Sequence, residues 1–279
     1  MHIPSQQQKP PGLTAELDPQ PDHGESSYTG SGKLKGKRVL LTGGDSGIGR
    51  AIALAYASEG ADIFISYLSE HEDAQETKKW VEKAGQRCVV VAGDLSDAAH
   101  CRGLVQQCIG ELGGIDILVN NAAYQMSRSS LDDISEEEWD YTFKVNIGAM
   151  FHLCKAAVPH MQPGSCIINT SSINSDKPRP DLLPYASTKG AITTFTSGLA
   201  QLIAEKGIRV NSVAPGPIWT PLIPSTLPAS DVKDFGSQVP LGRAGQPKEV
   251  AAVFVFLASP EASYVTGASY AVNGGTPMI

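Results

Sequence analysis

The run Val39-Leu40-Leu41-Thr42-Gly43-Gly44-Asp45-Ser46-Gly47-Ile48-Gly49 decides how this chain is read. Three consecutive aliphatic residues form a buried strand, and the pattern turns helical over residues 48–58. Between the two lies a glycine-rich turn. Gly43 permits a tight reversal, Gly47 lets the backbone approach a pyrophosphate, and Gly49 lets the helix pack closely on the sheet. The helix start offers unpaired N–H groups and a partial positive charge to phosphates. Glycine turns also arise for geometry alone. Placement between a buried strand and a helix is the context that makes this one a dinucleotide fingerprint.

Outward from that turn, short apolar runs at 63–67, 88–92, 115–119, 166–169, 209–213 and 270–272 alternate with helical stretches. The helices fall at 72–83, 96–112, 136–158, 185–205 and 248–257. Apolar strands separated by helices imply a parallel sheet covered on both faces. With no internal break, the expectation is a single α/β domain, a Rossmann-type doubly wound sheet of seven parallel strands over residues 36–279. Residues 1–35 differ. Pro4, Pro10, Pro11, Pro19 and Pro21 sit among Gln, Asp, Ser and Gly, too polar to fold alone. Either a disordered tail or an arm held against the domain by Tyr28 and Leu34 fits this composition.

Hydrophobic residues make up 41% and charged residues 18% of the 279, as in a soluble globular protein. A net charge of -7 argues against a nucleic-acid surface. No stretch approaches the roughly 20 apolar residues of a membrane span, and no secretory signal is visible. Cys88, Cys101, Cys108, Cys154 and Cys166 form no C-x-x-C pair and read as small buried thiols. A cytoplasmic location follows as the expectation. The histidines show no ligand spacing, so no protein metal site is expected.

Later strand ends add to the site. Asp94, followed by Leu95, closes the third strand, where a carboxylate suits an adenine amino group or merely a helix start. Asn120-Asn121-Ala122-Ala123 closes the fourth, where small residues let a ligand lie across the sheet. Taken singly, the asparagines are also ordinary turn formers. Tyr185 and Lys189 lie four apart on a helix and so share a face. A free phenol has a pKa near 10, and an adjacent ammonium lowers it toward the range of a proton shuttle. A surface Tyr/Lys pair is the plain alternative.

Together the T-G-x-x-x-G-I-G turn, Asn120-Asn121-Ala122-Ala123 and Tyr185-Ala186-Ser187-Thr188-Lys189 resemble the short-chain dehydrogenase/reductases over about residues 34–275. The arm, Gly43-Gly44-Asp45-Ser46 and the segment Pro215-Gly216-Pro217-Ile218-Trp219-Thr220-Pro221 look closest to the glucose/ribitol-dehydrogenase-like subgroup. Ala123 departs from the family's usual glycine and narrows backbone freedom beside the cofactor. The resemblance implies an NAD(P)-dependent oxidoreductase that interconverts an alcohol and an aldehyde or ketone. Asn146, Ser172, Tyr185 and Lys189 would be catalytic. Ser172 and Tyr185 would hold the substrate oxygen, with Ser171 a structural neighbour, and Asn146 would support a water relay behind the lysine.

The implied cofactor contacts are Gly43, Asp45, Ser46, Gly47, Ile48 and Gly49 in the turn, with Tyr67, Asp94, Leu95, Asn120 and Ala122 at later strand ends. Tyr185 and Lys189 would reach the nicotinamide half, and Pro215, Gly216, Ile218 and Thr220 would close over it. A loop at 217–237 would cover the substrate. Tyr124, Ile173, Trp219, Leu222 and Ile223 serve there either as pocket walls or as loop packing. Either NAD or NADP is expected, with a lean to NAD. Strand two ends in Ser66-Tyr67-Leu68-Ser69, followed by acidic Glu70, Glu72 and Asp73, with Ser46 in the turn. Relatives commonly form tetramers, and the apolar run Val253 to Leu257 fits a homotetramer. Two other readings remain: a dinucleotide-binding protein without catalysis, and an epimerase or lyase on the same scaffold.

Overall fold

In a computed structural model, residues 2–278 are described. The chain runs β1 (Arg38–Thr42), α1 (Gly47–Ser58), β2 (Asp62–Tyr67), α2 (His71–Lys83), β3 (Cys88–Ala92), α3 (Ala98–Leu112) and β4 (Ile117–Asn120). It continues with α4 (Glu136–Phe143), α5 (Ala149–Ala157), β5 (Cys166–Thr170), α6 (Leu183–Leu202) and β6 (Arg209–Pro215). The last elements are α7 (Leu222–Thr226), α8 (Ala229–Val232), α9 (Pro247–Ala258) and β7 (Ser269–Val272). All seven strands pair in parallel in the order β3-β2-β1-β4-β5-β6-β7. The order reverses between β1 and β4, and ligands of such sheets bind beyond the carboxyl ends at that switch point.

The strands are continuous apolar runs because both of their faces are covered. Val39 and Leu41 of β1 face a layer of α1, α2 and α9, while Leu40 faces α3, α5 and α6. The expected single domain is therefore present, with shifted boundaries. β4 begins two residues later than expected, and just before it the Asp116 carboxylate accepts the Arg38 backbone N–H at 2.9 Å and its Nε–H at 2.7 Å. The stretch expected as one helix at 136–158 is broken by a π-helical turn, Lys144–Gly148, between α4 and α5. Residues 217–237, expected as loop, contain the short helices α7 and α8.

The proline-rich arm is ordered. Ile3 and Leu17 are buried in a cluster with Trp219, Ile223, Leu227 and Val232. Tyr28 does anchor the arm: its hydroxyl donates to Glu59 at 2.6 Å, and the same carboxylate accepts the Ser31 and Lys33 N–H groups at 2.9 Å. Leu34 is fully buried in the α1 layer.

Where α9 packs on α1, Phe254 is fully buried and its carbonyl accepts the Tyr56 hydroxyl at 3.0 Å. Phe254→Ala is expected to cost about 3–5 kcal/mol, the usual loss for an aromatic truncated in a close-packed core. Denaturant unfolding followed by tryptophan fluorescence measures this, and a loss below ~1 kcal/mol would contradict the packing described.

Candidate active site

α1 starts against the end of β1 because three positions tolerate no side chain. A Cβ on Gly49 would lie 1.8 Å from the Gly43 carbonyl oxygen. Gly47 has φ of +50°, and a Cβ on Gly43 would come within 3.0 Å of Ala122. Ser46, at the helix N-cap, makes no capping bond with its side chain. The first-turn N–H groups are therefore available at the rim of a cavity of about 660 Å³.

Most of the residues expected at a dinucleotide line that cavity. Gly43, Asp45, Ser46, Gly47, Ile48, Tyr67, Asp94, Leu95 and Ala122 surround one half. Ser172, Tyr185, Lys189, Pro215, Gly216, Ile218 and Thr220 surround the other. Two of them, Gly49 and Asn120, do not face it, and neither does Asn146, expected as catalytic. Gly49 is packed beneath the turn. Asn120 turns into the protein, where its Nδ2 donates to Asn169 at 2.8 Å. Its neighbour Asn121 lines the cavity instead, with Nδ2 on the Gly43 carbonyl at 3.0 Å. Asn146 lies in the π turn and clamps Tyr124, accepting its N–H at 2.7 Å and donating to its carbonyl at 2.9 Å. Asn120 and Asn146 share a separate hollow of about 10 Å³, room for one water.

The cavity fits a dinucleotide on grounds besides its glycines. Ser66 Oγ is fully buried, belongs to a cavity-lining residue and has no hydrogen-bond partner among the described residues. Such an orphan calls for a ligand group. Asp45, also lining, is fully buried; desolvation pushes its carboxyl up to about 6, reinforced by the charge of Glu70. Arg50 does not compensate at the ligand. Its guanidinium is spent on the Asp45 carbonyl, Thr77 and Asp73.

At the other half, β5 and α6 bring Ser172, Tyr185 and Lys189 together. Ser171, as expected, is structural: its Oγ donates to the Lys189 carbonyl at 3.1 Å. Ser172 Oγ accepts the Asn174 N–H at 3.1 Å, which leaves its own proton free to donate elsewhere. Lys189 is 2% exposed, its Nζ donating to the Thr170 carbonyl at 2.7 Å and lying 5.2 Å from the Tyr185 ring centre. The expected lowering of the phenol pKa is not what this environment produces. Burial pushes Tyr185 up to about 12, against the lowering pull of the Ser172 hydrogen bond. The same burial pulls Lys189 down to about 7, so the lysine's influence is spent against its own desolvation.

Of the suggested pocket walls, Tyr124, Ile173, Leu222 and Ile223 line the cavity. Trp219 does not. It is fully buried under the arm, its Nε1 donating to the Pro19 carbonyl at 2.7 Å. Residues not anticipated include Gln125, Asn174 and Arg179 at the substrate end and Pro10 and Pro11 from the arm. Arg179 ties α8 to the segment before α6, with Nη2 at 2.7 Å from Asp181 and 2.8 Å from Asp231. No periodicity marks such loop residues. A proline pair in a polar arm was the one visible signal for the arm.

The family model described as Enoyl-(Acyl carrier protein) reductase matches residues 43–277. The oxidoreductase YhdF of Bacillus subtilis is 53% identical over 98% of this chain and 94% of its own length. Glucose and ribitol dehydrogenase of Daucus carota is 46% identical over 98% of this chain and 96% of its own. Among solved structures, a short chain dehydrogenase from Burkholderia cenocepacia in complex with NADP superposes with a TM-score of 0.81 at 35% identity, covering 87% of this chain and 98% of that one. Likeness along nearly the whole length, joined to the glycine turn and the Ser172, Tyr185 and Lys189 cluster, means that the chain belongs to the short-chain dehydrogenase/reductase family of oxidoreductases.

Proposed function

We propose that this oxidoreductase interconverts an alcohol and an aldehyde or ketone, with Tyr185 as general acid and base. One observation carries the reading: a single cavity holds the glycine turn in one half and Ser172, Tyr185 and Lys189 in the other. The bound nicotinamide supplies or accepts the hydride. The chain's own residues move the proton. For reduction, Tyr185 donates its phenolic proton to the carbonyl oxygen while Ser172, whose Oγ already accepts from Asn174, donates a hydrogen bond to the same oxygen. With its phenol pushed up to about 12, Tyr185 is protonated at neutral pH and ready as an acid. Lys189, anchored on Thr170, is placed to hold the nicotinamide ribose. Asn146 acts as a positioning residue through Tyr124 and the α6 hydroxyl of Thr188, to which it donates at 3.0 Å.

The cofactor is a nicotinamide dinucleotide, and either form is proposed. Asp45 and Glu70 at the adenosine half favour ribose hydroxyls over a phosphate, while the solved relative carries NADP. The lean to NAD thus rests on local charge alone, and the ratio of kcat/KM for the two nucleotides decides it. Retention of Ser172, Tyr185 and Lys189 in one cavity weighs against a non-catalytic binder. Net consumption of free NADH or NADPH separates the oxidoreductase from an epimerase or lyase. Five free, buried cysteines support the cytoplasm as its compartment.

A homotetramer is proposed as well. α9 buries Phe254, Val255 and Leu257 in its own domain, but Val253 and Phe256 stay partly exposed beside Tyr270 of the edge strand β7. Light scattering at micromolar concentration should return the mass of four chains, and a monomer would sink the proposal.

Tyr185→Phe keeps the ring and removes the proton, so turnover should fall at least ~10²-fold with little change in nucleotide affinity. Near-normal turnover with the best substrate would show that another group carries the proton.

Lys189→Met should separate function from stability. Below pH 7 the lysine is charged in folded and unfolded chains alike, and the folded state bears the whole desolvation cost. Between about 7 and the ordinary 10.5 only the unfolded chain keeps the proton, so native stability rises with pH. The variant should therefore melt higher than its parent at pH 6, with an advantage that shrinks toward pH 10, while activity collapses. A melting difference that does not change with pH would contradict the burial of a titrating lysine.

A further inference from the structure

The arm crosses the dinucleotide groove from one bank to the other. On the adenosine bank, Thr14 N and Oγ1 both donate to Asp73 Oδ2 of α2, at 2.9 and 3.1 Å. On the nicotinamide bank the arm is laced to residues that follow the Pro215–Thr220 segment. Gln8 N donates to the Pro224 carbonyl at 2.9 Å, and Ser225 Oγ donates to the Pro11 carbonyl at 3.2 Å. Gly12, with φ of +86°, passes so close that a Cβ there would lie 2.7 Å from the Pro221 carbonyl. Between these anchorages Pro10 and Pro11 line the same cavity as Ser46 and Gly47.

The crossing is stiff. Gln8 closes it on itself, its Oε1 accepting the Leu13 N–H at 2.7 Å and its Nε2 donating to the Leu13 carbonyl at 3.2 Å. It is also coupled to the turn below. The carboxylate that accepts Thr14 holds Arg50 through its other oxygen at 2.7 Å, and Arg50 Nε donates to the Asp45 carbonyl within the turn at 3.0 Å. Displacing the strap would therefore disturb the anchor of the turn as well as its cover.

We propose that residues 8–14 are part of the cofactor site, a strap across the groove that covers the bound dinucleotide between its adenosine ribose and its nicotinamide and retains it. The strap rests on the nucleotide reading of the cavity given above. Its prolines present a preformed apolar surface with little ordering entropy left to lose, so contact with the ligand is inexpensive. The strap has to lift or yield for exchange, which makes slow nucleotide release its signature.

The test uses the full-length chain and NADPH or NADH as probes. Nucleotide affinity is measured by fluorescence titration for the parent, for Thr14→Val, and for the double variant Pro10→Gly with Pro11→Gly, with circular dichroism confirming the fold of each. The double variant should weaken binding at least ~10-fold, mainly through faster release, because it removes preorganisation and contact together. Thr14→Val should do the same to a smaller degree. In the parent, which needs no substitution, either nucleotide should slow hydrogen exchange at the Gln8, Leu13 and Thr14 amides. Folded variants with unchanged affinity, or exchange at those amides indifferent to nucleotide, would overturn the strap alone. A parent that binds neither nucleotide would overturn the nucleotide reading and the strap with it.

Discussion

The dry ion pair between Arg50 and Asp73 is the joint on which the cofactor edge of this molecule depends. Both side chains are less than a tenth exposed, and their 2.7 Å contact links α1 to α2 across β1 and β2. A buried pair of this kind contributes little net stability, since desolvation offsets most of its attraction, but loss of one partner leaves a stranded charge at a cost of about 3–5 kcal/mol. Its worth is positional. Arg50 also donates to the Asp45 carbonyl and to Thr77, and Asp73 accepts Thr14 from the arm. Turn, helix and arm are thus held in register by one carboxylate and one guanidinium, in addition to the apolar layer beneath them.

The proton-transfer half of the site is built on a different constraint, the burial of ionisable groups among carbonyls and apolar walls. Lys189 donates to the Thr170 carbonyl, and among the described residues it forms no ion pair with a carboxylate. Tyr185 packs with Leu182, Ile223 and Leu227, so its phenolate is disfavoured. The pair is tuned by solvent exclusion more than by mutual attraction. That inverts the simple expectation from a Tyr/Lys spacing, in which the cation stabilises the phenolate.

The fold was legible in the chain because its signals are periodic and local. Runs such as Val39 to Leu41 state their burial by themselves, and glycines at 43, 47 and 49 state a turn that no Cβ would survive. Tyr185 and Lys189 were legible through a spacing that puts them on one face of a helix, and Ser172 through the family resemblance. The failures share one cause, that side-chain direction is decided by tertiary neighbours. Asn120 and Asn121 are identical in type, yet the first turns toward Asn169 and the second toward Gly43. Trp219 could be read as pocket wall or as loop packing, and the Pro19 carbonyl that accepts its indole N–H decides for packing. The π turn at Lys144–Gly148 left no mark in hydrophobic period, and part of the arm's order comes from partners more than two hundred residues away.

The five cysteines carry a consequence for how the molecule ages. Each is free and buried, and burial pushes the thiols of Cys88, Cys108 and Cys154 up to about 12 and those of Cys101 and Cys166 to about 11. Peroxides and alkylating reagents attack the thiolate, which at neutral pH then amounts to about one part in ten thousand or fewer. Sulfur chemistry at these positions is closed off as long as the native packing holds, so they become reactive only on chains that have already opened. Thiol labelling of this protein is accordingly a probe of unfolding, with the rate of modification governed by how often the sheet and its helices open.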